Sequence, residues 1–286
     1  MKTRFFLLAL LATLPSAASA APITRSSTAD ALNTTTAWVG GALPTTADTA
    51  TWDALSTLDN TLGANLTWGG LDVSAAAGAV SVSGNNNLLL DHSTDASTAF
   101  NTGATNFTWG TVPATGGTFH INGAAGSTSS TATGATFAGS GTVTIGGTGN
   151  KNWSTNATTN GVTNVTFTGT LALRGATIPG VGVLPGNWLA FGGGGGAASA
   201  NGTTVQTGSF ALDTGDASSC GALILTQGWS GQYLKLNSLS GTGSIRADWG
   251  ISAGTQTRGI ELDQAGDTVL SGSILVHNGS DRKSVV

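Results

Sequence analysis

Gly139-Ser140-Gly141-Thr142-Val143-Thr144-Ile145-Gly146 carries the pattern on which the fold turns. Val143 and Ile145 alternate with Thr142 and Thr144, which puts the apolar side chains on one face and the hydroxyls on the other. The flanking glycines supply the backbone freedom that turns need. A run of four such residues is a half-buried strand too short to bury a face alone. The same alternation recurs at Ala79–Ser83, Thr118–Asn122, Asn164–Thr168, Tyr233–Leu236 and Gly259–Leu262. Leu88-Leu89-Leu90 and Leu223-Ile224-Leu225 read as strands buried on both faces. No window from 21 to 280 repeats its apolar residues at helical spacing.

Two motifs occur twice. Asn65-Leu66-Thr67-Trp68-Gly69 and Asn106-Phe107-Thr108-Trp109-Gly110 share N-x-T-W-G, 41 residues apart. Gly139-Ser140-Gly141-Thr142-Val143 and Gly241-Thr242-Gly243-Ser244-Ile245 share a glycine-rich turn entering a β-branched strand. Short strands joined by long, irregular turns are stable when stacked, each coil covering the edge of the one before. The expected fold is all-β, a right-handed parallel β-helix (β-solenoid) over residues 21–280. A β-sandwich is the alternative, although its strands are usually longer and joined by regular hairpins. Five consecutive glycines, Gly192 to Gly196, open a soft junction at 192–202. With no helix pattern after them and no Walker lysine, they do not read as a phosphate loop.

Composition agrees with this pattern. The 286 residues include 44 glycines and 46 threonines, and only 8% are charged, against about 25% in an average domain. The chain has 10 basic and 14 acidic residues, a formal net charge of −4. That balance argues against nucleic acid as a partner, because such binders present a basic face. A single cysteine rules out a disulfide scaffold and a cysteine-rich zinc module.

The two ends read differently from the middle. Lys2 and Arg4 precede an apolar run from Phe5 to Leu14, then Pro15 and Ala18-Ser19-Ala20. This is the form of a secretory signal peptide over residues 1–20, its apolar core too short to span a bilayer. Export is expected, with cleavage after Ala20 and a destination at the cell surface or outside the cell. No other segment approaches a membrane span. Asp281-Arg282-Lys283-Ser284-Val285-Val286 fits, codon by codon, a common sequencing adapter followed by an in-frame stop, so residues 281–286 are expected to be adapter read-through. Removing Lys2, Arg4, Arg282, Lys283 and Asp281 leaves six basic and 13 acidic residues in 21–280, a net charge of −7.

Trp38-Val39-Gly40-Gly41-Ala42-Leu43-Pro44 followed by Asp48-Thr49-Ala50-Thr51-Trp52-Asp53 resembles the opening of bacterial surface proteins with autotransporter-associated β-strand (passenger-like) repeats. Leu239–Ile245, Arg258–Gln264 and Asp267–Ile274 resemble later parts of the same proteins. The likeness covers about 35 residues after the signal and the last ~45. The middle agrees in composition only, and the family's Gly-Thr-Leu-Thr-Leu-x-Gly repeat is absent. The resemblance implies a parallel β-helix displayed at, or released from, the surface of a Gram-negative-type bacterium, as the N-terminal part of a larger protein. Its expected role is structural and adhesive rather than enzymatic. Surface glycans or neighbouring cell-surface proteins are the partners it suggests. A carbohydrate-active β-helix enzyme or a sugar-binding module is the alternative.

The residues that could carry chemistry are few. Asp213-Thr214-Gly215 matches the aspartic-protease triplet, but that chemistry needs two carboxylates sharing a proton. One copy reads as a turn after a strand. His92, His120 and His277 are too scattered for a zinc site. Asp91 with Asp95, or Asp213 with Asp216, offers at most a weak calcium site. No charged residue lies between Ala96 and Asn150. Arg246, Asp248, Arg258, Glu261, Asp263 and Asp267 form the densest charged set and read as a solvated face. Cys220 has no cationic neighbour in sequence and reads as a buried, inert thiol. The tryptophans are expected in the core and its caps. No catalytic, cofactor-binding or metal-binding residue is assigned, and no cofactor is expected.

Overall fold

The computed structural model describes residues 21–92, 99–110, 118–123, 135–147, 151–153, 162–175, 188–192, 204–225, 232–246 and 258–275. The signal peptide, the last six residues and nearly all of the 192–202 junction lie outside them.

The chain winds through successive coils. A first strand, β1 (Ala21–Thr24), precedes a 3-10 turn at Thr35–Ala37. Coil one comprises β2 (Asp48–Thr51), β3 (Asp59–Thr61) and β4 (Leu66–Trp68). Coil two follows with β5 (Gly70–Asp72), β6 (Val80–Ser83) and β7 (Leu88–His92). Coil three has β8 (Phe100–Asn101), β9 (Phe107–Trp109) and β10 (Phe119–Gly123). Coil four has β11 (Ala135–Ala138), β12 (Thr142–Ile145) and β13 (Lys151–Trp153). Coil five has β14 (Val162–Val165), β15 (Thr170–Leu173) and β16 (Trp188–Phe191). Coil six has β17 (Val205–Gln206), β18 (Phe210–Asp213) and β19 (Ala222–Leu225). Two partial coils complete the described chain: β20 (Gln232–Ser240) with β21 (Ser244–Arg246), and β22 (Arg258–Leu262) with β23 (Ser273–Leu275).

From β2 to β19 every third strand lands on the same sheet, and from there on every second. Face one runs β1-β2-β5-β8-β11-β14-β17, face two β3-β6-β9-β12-β15-β18-β20-β22, and face three β4-β7-β10-β13-β16-β19-β21-β23. All pairings between these strands are parallel. The fold is therefore a parallel β-solenoid, and the sandwich alternative fails because it needs antiparallel sheets.

All six alternating segments contribute strands, but Asn164–Thr168 does so only through Asn164 and Val165. Phe167 lies beyond β14, buried and stacked on Phe137 at 4.2 Å between ring centroids. Val143 and Ile145 point inward and Thr142 and Thr144 outward, as the alternation requires. Leu223, Ile224 and Leu225 are all buried, as expected. In β7 the expectation fails at one position: Leu88 and Leu90 are buried, whereas Leu89 is half-buried on the outer row between Thr67 and His120. The core is an aromatic column. Phe100 stacks on Phe137, and Phe119, Trp153, Phe191 and Phe210 pack around that axis.

The twofold motifs turn out to mark equivalent jobs on different faces. Leu66-Thr67-Trp68 is on face three and Phe107-Thr108-Trp109 on face two. In both, the leading asparagine accepts a backbone N–H from the next coil: Asn65 Oδ1 from Asn87 (2.9 Å) and Asn106 Oδ1 from Thr142 (2.7 Å). Asn87 continues the ladder by accepting from Thr118 at 3.1 Å. The Gly139 and Gly241 motifs likewise enter β12 on face two and β21 on face three.

The first coil is closed by a cap. Trp38, Trp52 and Trp68 meet with ring centroids 5.5 to 6.3 Å apart. Trp38 Nε1 donates to the Leu32 carbonyl and Trp52 Nε1 to that of Thr57. Beside them Arg25 is 1% exposed. It donates to Asn60 Oδ1 (2.8 Å) and to the carbonyls of Ala37 (2.6 Å), Thr28 (2.8 Å) and Asp30 (2.9 Å). A buried guanidinium is tolerable when its donors are satisfied in this way.

Candidate functional site

The corner between faces two and three is built from a column of glycines. Gly84, Gly110, Gly147, Gly175, Gly215 and Gly241 follow β6, β9, β12, β15, β18 and β20, and each has a positive φ, from 70° to 122°. The chain turns left-handed there at every coil, which side chains with a Cβ rarely allow. Stacking is also close: a Cβ on Gly110 would stand 2.9 Å from the Gly146 backbone.

A cleft of about 350 Å³ opens over this corner. Gly110, Gly146, Gly147 and Gly175 line it without side chains. Thr108 and Thr144, register neighbours on β9 and β12, form one wall, and Arg174 and Ser219 lie at the far end. Arg174 forms an ion pair through Nη2 with Asp213 Oδ2, the two side chains 30% and 31% exposed. Its Nη1 donates to the Leu173 carbonyl at 3.0 Å. Ser219 Oγ accepts the Gly175 N–H at 3.0 Å. Thr108 and Thr144 are half-buried, and their hydroxyls have no partner among the described residues.

Asp213-Thr214-Gly215 is a turn. Asp213 Oδ1 accepts the Gly215 N–H at 2.9 Å while Oδ2 faces Arg174, so this carboxylate is matched to a cation rather than a second acid. Asp216 starts the next turn, taking the Ser218 hydroxyl (2.6 Å) and the N–H groups of Ser218 and Ser219. Those bonds, the Ser218 hydroxyl first, hold its carboxyl below the ordinary value. The two acids thus have separate partners and separate tasks. Cys220 closes this loop through an antiparallel bridge with Gly215 and is buried. Burial first, and then the Asp216 carboxylate, push its thiol up, with Arg174 opposing.

The remaining sequence candidates are dispersed. Asp91 and His92 end β7, with Asp95 outside the described residues. His120 is on β10, in register with Leu89 and Asn152, and His277 lies outside the described residues. Arg246 belongs to face three, whereas Arg258 and Glu261 belong to face two, where they stand in register with Gln232 and Lys235. Asp263 and Asp267 are exposed beyond β22, and Asp248 lies outside the described residues. The described members of the charged set are thus spread over two sheets and the segment beyond β22. Among the described residues, no group of three or more His, Cys, Asp or Glu could hold a metal ion. No helix there is long and apolar enough to cross a membrane.

Two buried cations escaped the sequence reading. Arg25 is the clasp of the cap. Lys151 on β13 is fully buried, its Nζ donating to the Gly147 carbonyl at 3.1 Å beneath the glycine corner. Burial lowers its pKa from 10.5 to about 7. The signal was the alternation of Lys151-Asn152-Trp153, which assigns Lys151 to the same inward face as Trp153.

These features define a protein of the parallel β-solenoid class, with a capped first coil and a glycine-lined cleft on one corner. Comparison with protein-family models, curated proteins and solved structures finds no match for the chain.

Proposed function

We propose that residues 21–280 are an exported, non-catalytic structural and adhesive β-solenoid, part of a larger bacterial cell-surface protein of the autotransporter-associated repeat type. The observation that carries the reading is the division of labour across each strand. Inward positions hold the aromatic and aliphatic column, and outward positions on face two hold Ser81, Thr108, Thr144 and Thr170. An outer surface of hydroxyls, low in charge, suits many weak hydrogen-bonded contacts outside the cell. The continuous ladder of backbone bonds suits a stiff stalk. The capped first coil supports the reading too, since a solenoid needs a closed start to remain soluble. Expression of the full chain in a Gram-negative host tests it. A mature N-terminus at Ala21, with protein accessible at the surface or in the medium and retained on glycan-coated beads, is the expected result. Cytoplasmic retention, or hydrolysis or elimination of a polysaccharide by the purified chain, would overturn it.

A further inference from the structure

The cleft on the corner between faces two and three has the makings of a binding site. Its volume, about 350 Å³, sits at the lower end of the ~300–1,000 Å³ seen for small-ligand sites. A ligand there meets backbone directly, because Gly110 and Gly146 present no side chains. Thr108 and Thr144 supply two adjacent hydroxyls with no partner among the described residues. Neighbouring parallel strands hold them about 4.8 Å apart, close to the separation of two equatorial hydroxyls placed 1,3 on a pyranose ring. Ser219 already accepts the Gly175 N–H, so its own proton remains available to donate.

Charge narrows the ligand class. Arg174 is the one charged lining residue among the described residues, and its ion pair with Asp213 neutralises it. Asp216 is exposed, committed to its own turn and not part of the lining. Neither an anion nor a cation therefore gains much there. What remains is a neutral ligand rich in hydroxyls. Among the described residues no aromatic side chain lines the cleft, and Trp38, Trp52, Trp68, Trp109 and Trp153 are all buried in the core. Recognition would rest on hydrogen bonds and contact with glycine Cα and threonine methyl groups.

We infer that this cleft is a subsite for one neutral pyranose unit of a surface glycan, with the Thr108, Thr144 and Ser219 hydroxyls and the half-exposed Arg174, neutralised by Asp213, as its polar contacts. The inference rests on the adhesive reading and gives it a specific contact. Saturation-transfer NMR and calorimetry on the full chain test it, with methyl glucoside, methyl galactoside and N-acetylglucosamine as probes. Galacturonate and glucosamine serve as charged comparators. At least one neutral probe is expected to bind with a Kd of about 1–10 mM. The double variant Thr108→Val and Thr144→Val is expected to weaken it about tenfold. Thr142→Val, outward on the same strand but outside the cleft, is expected to leave binding unchanged and controls for folding. Absence of any neutral-sugar signal at about 50 mM, equal binding by the double variant, or tighter binding of galacturonate would overturn the subsite. Bead adhesion separates the two readings. Adhesion that persists without sugar binding at the cleft leaves the adhesive role standing and removes the subsite. Sugar binding without adhesion does the reverse.

Discussion

Replacing Lys151 by methionine should stabilise the protein at neutral pH, and the gain should vanish as the solution becomes alkaline. Lys151 is fully buried on β13, and burial lowers its pKa from 10.5 to about 7. The unfolded chain holds that proton up to about 10.5, whereas the folded chain releases it near 7. Between those values the unfolded state binds more protons, so folding stability rises with pH across this window. Below about 7 both states carry the charge and the full burial penalty applies; above 10.5 neither does and the penalty is gone. At about 1.4 kcal/mol per pH unit the gap sets a ceiling on the order of 5 kcal/mol. Loss of the bond from Nζ to Gly147 offsets about 1 kcal/mol of it. Lys151→Met keeps the length of the side chain and removes the charge. Its expected advantage is roughly 2–4 kcal/mol at pH 7, falling to zero or slightly below by about pH 10.5. Urea unfolding of both proteins at intervals from pH 6 to 11 measures it, and the difference between them cancels every other titrating group. Parallel stability–pH curves for the two proteins, with no convergence between pH 7 and 10.5, would refute the burial of a neutral amine at this position.

Other perturbations separate the remaining features. Arg25→Leu leaves the Ala37, Thr28 and Asp30 carbonyls and Asn60 Oδ1 without their buried donor. It should cost about 2–4 kcal/mol, read as faster hydrogen exchange in β1 and coil one while coils five and six keep their protection. Gly110→Ala and Gly40→Ala form a matched pair: both backbones have positive φ, 70° and 84°, but only at Gly110 would the new Cβ meet other atoms, 2.9 Å from Gly146. The first should lower stability by roughly 2–4 kcal/mol and the second by about 1 kcal/mol, and equal melting-point shifts would contradict the close stacking at the corner. Cys220, buried and with its thiol pushed up, should react with a disulfide reagent at neutral pH only after unfolding; rapid labelling of the native chain would contradict its burial.

Much of the architecture was legible because a solenoid is specified locally. Each strand announces itself through an alternation such as Val143 and Ile145 against Thr142 and Thr144, and each corner through glycine. Which strand stacks on which was not legible. N-x-T-W-G occurs 41 residues apart, yet Leu66 pairs with Leu88 and Phe107 with Val143. The motif encodes a local task, an asparagine accepting the next coil's N–H, and that task arises on more than one face. The cleft was invisible for a related reason. Thr108, Thr144, Arg174 and Ser219 come from four successive coils, so only the register brings them together. Arg25 and Lys151 were passed over because charged residues are usually solvated; Arg25 is held by acceptors from Thr28 to Asn60, and Lys151 by its inward place on β13 and the Gly147 carbonyl.

The unequal coils explain how such a chain stays in register. The step from one coil to the next is 21 residues from Thr49 to Gly70 on face one and 41 from Val165 to Gln206 on the same face. A repeat of constant length cannot be what aligns them. Alignment comes from interactions that act only between neighbours: parallel backbone pairing, inward side chains stacking in the aromatic column, asparagine rungs and the close glycine corners. Extra length is then absorbed in the connections between strands, at an entropic cost that grows slowly with loop length. Energies in such a stack are approximately sums over adjacent coils. A lesion at Arg25 or Gly110 should therefore weaken its own coil and those touching it before the rest. A single shared core of similar size would instead lose protection everywhere at once. This locality also lets one corner open a cleft over Gly110 and Gly146 while the coils on either side carry the fold.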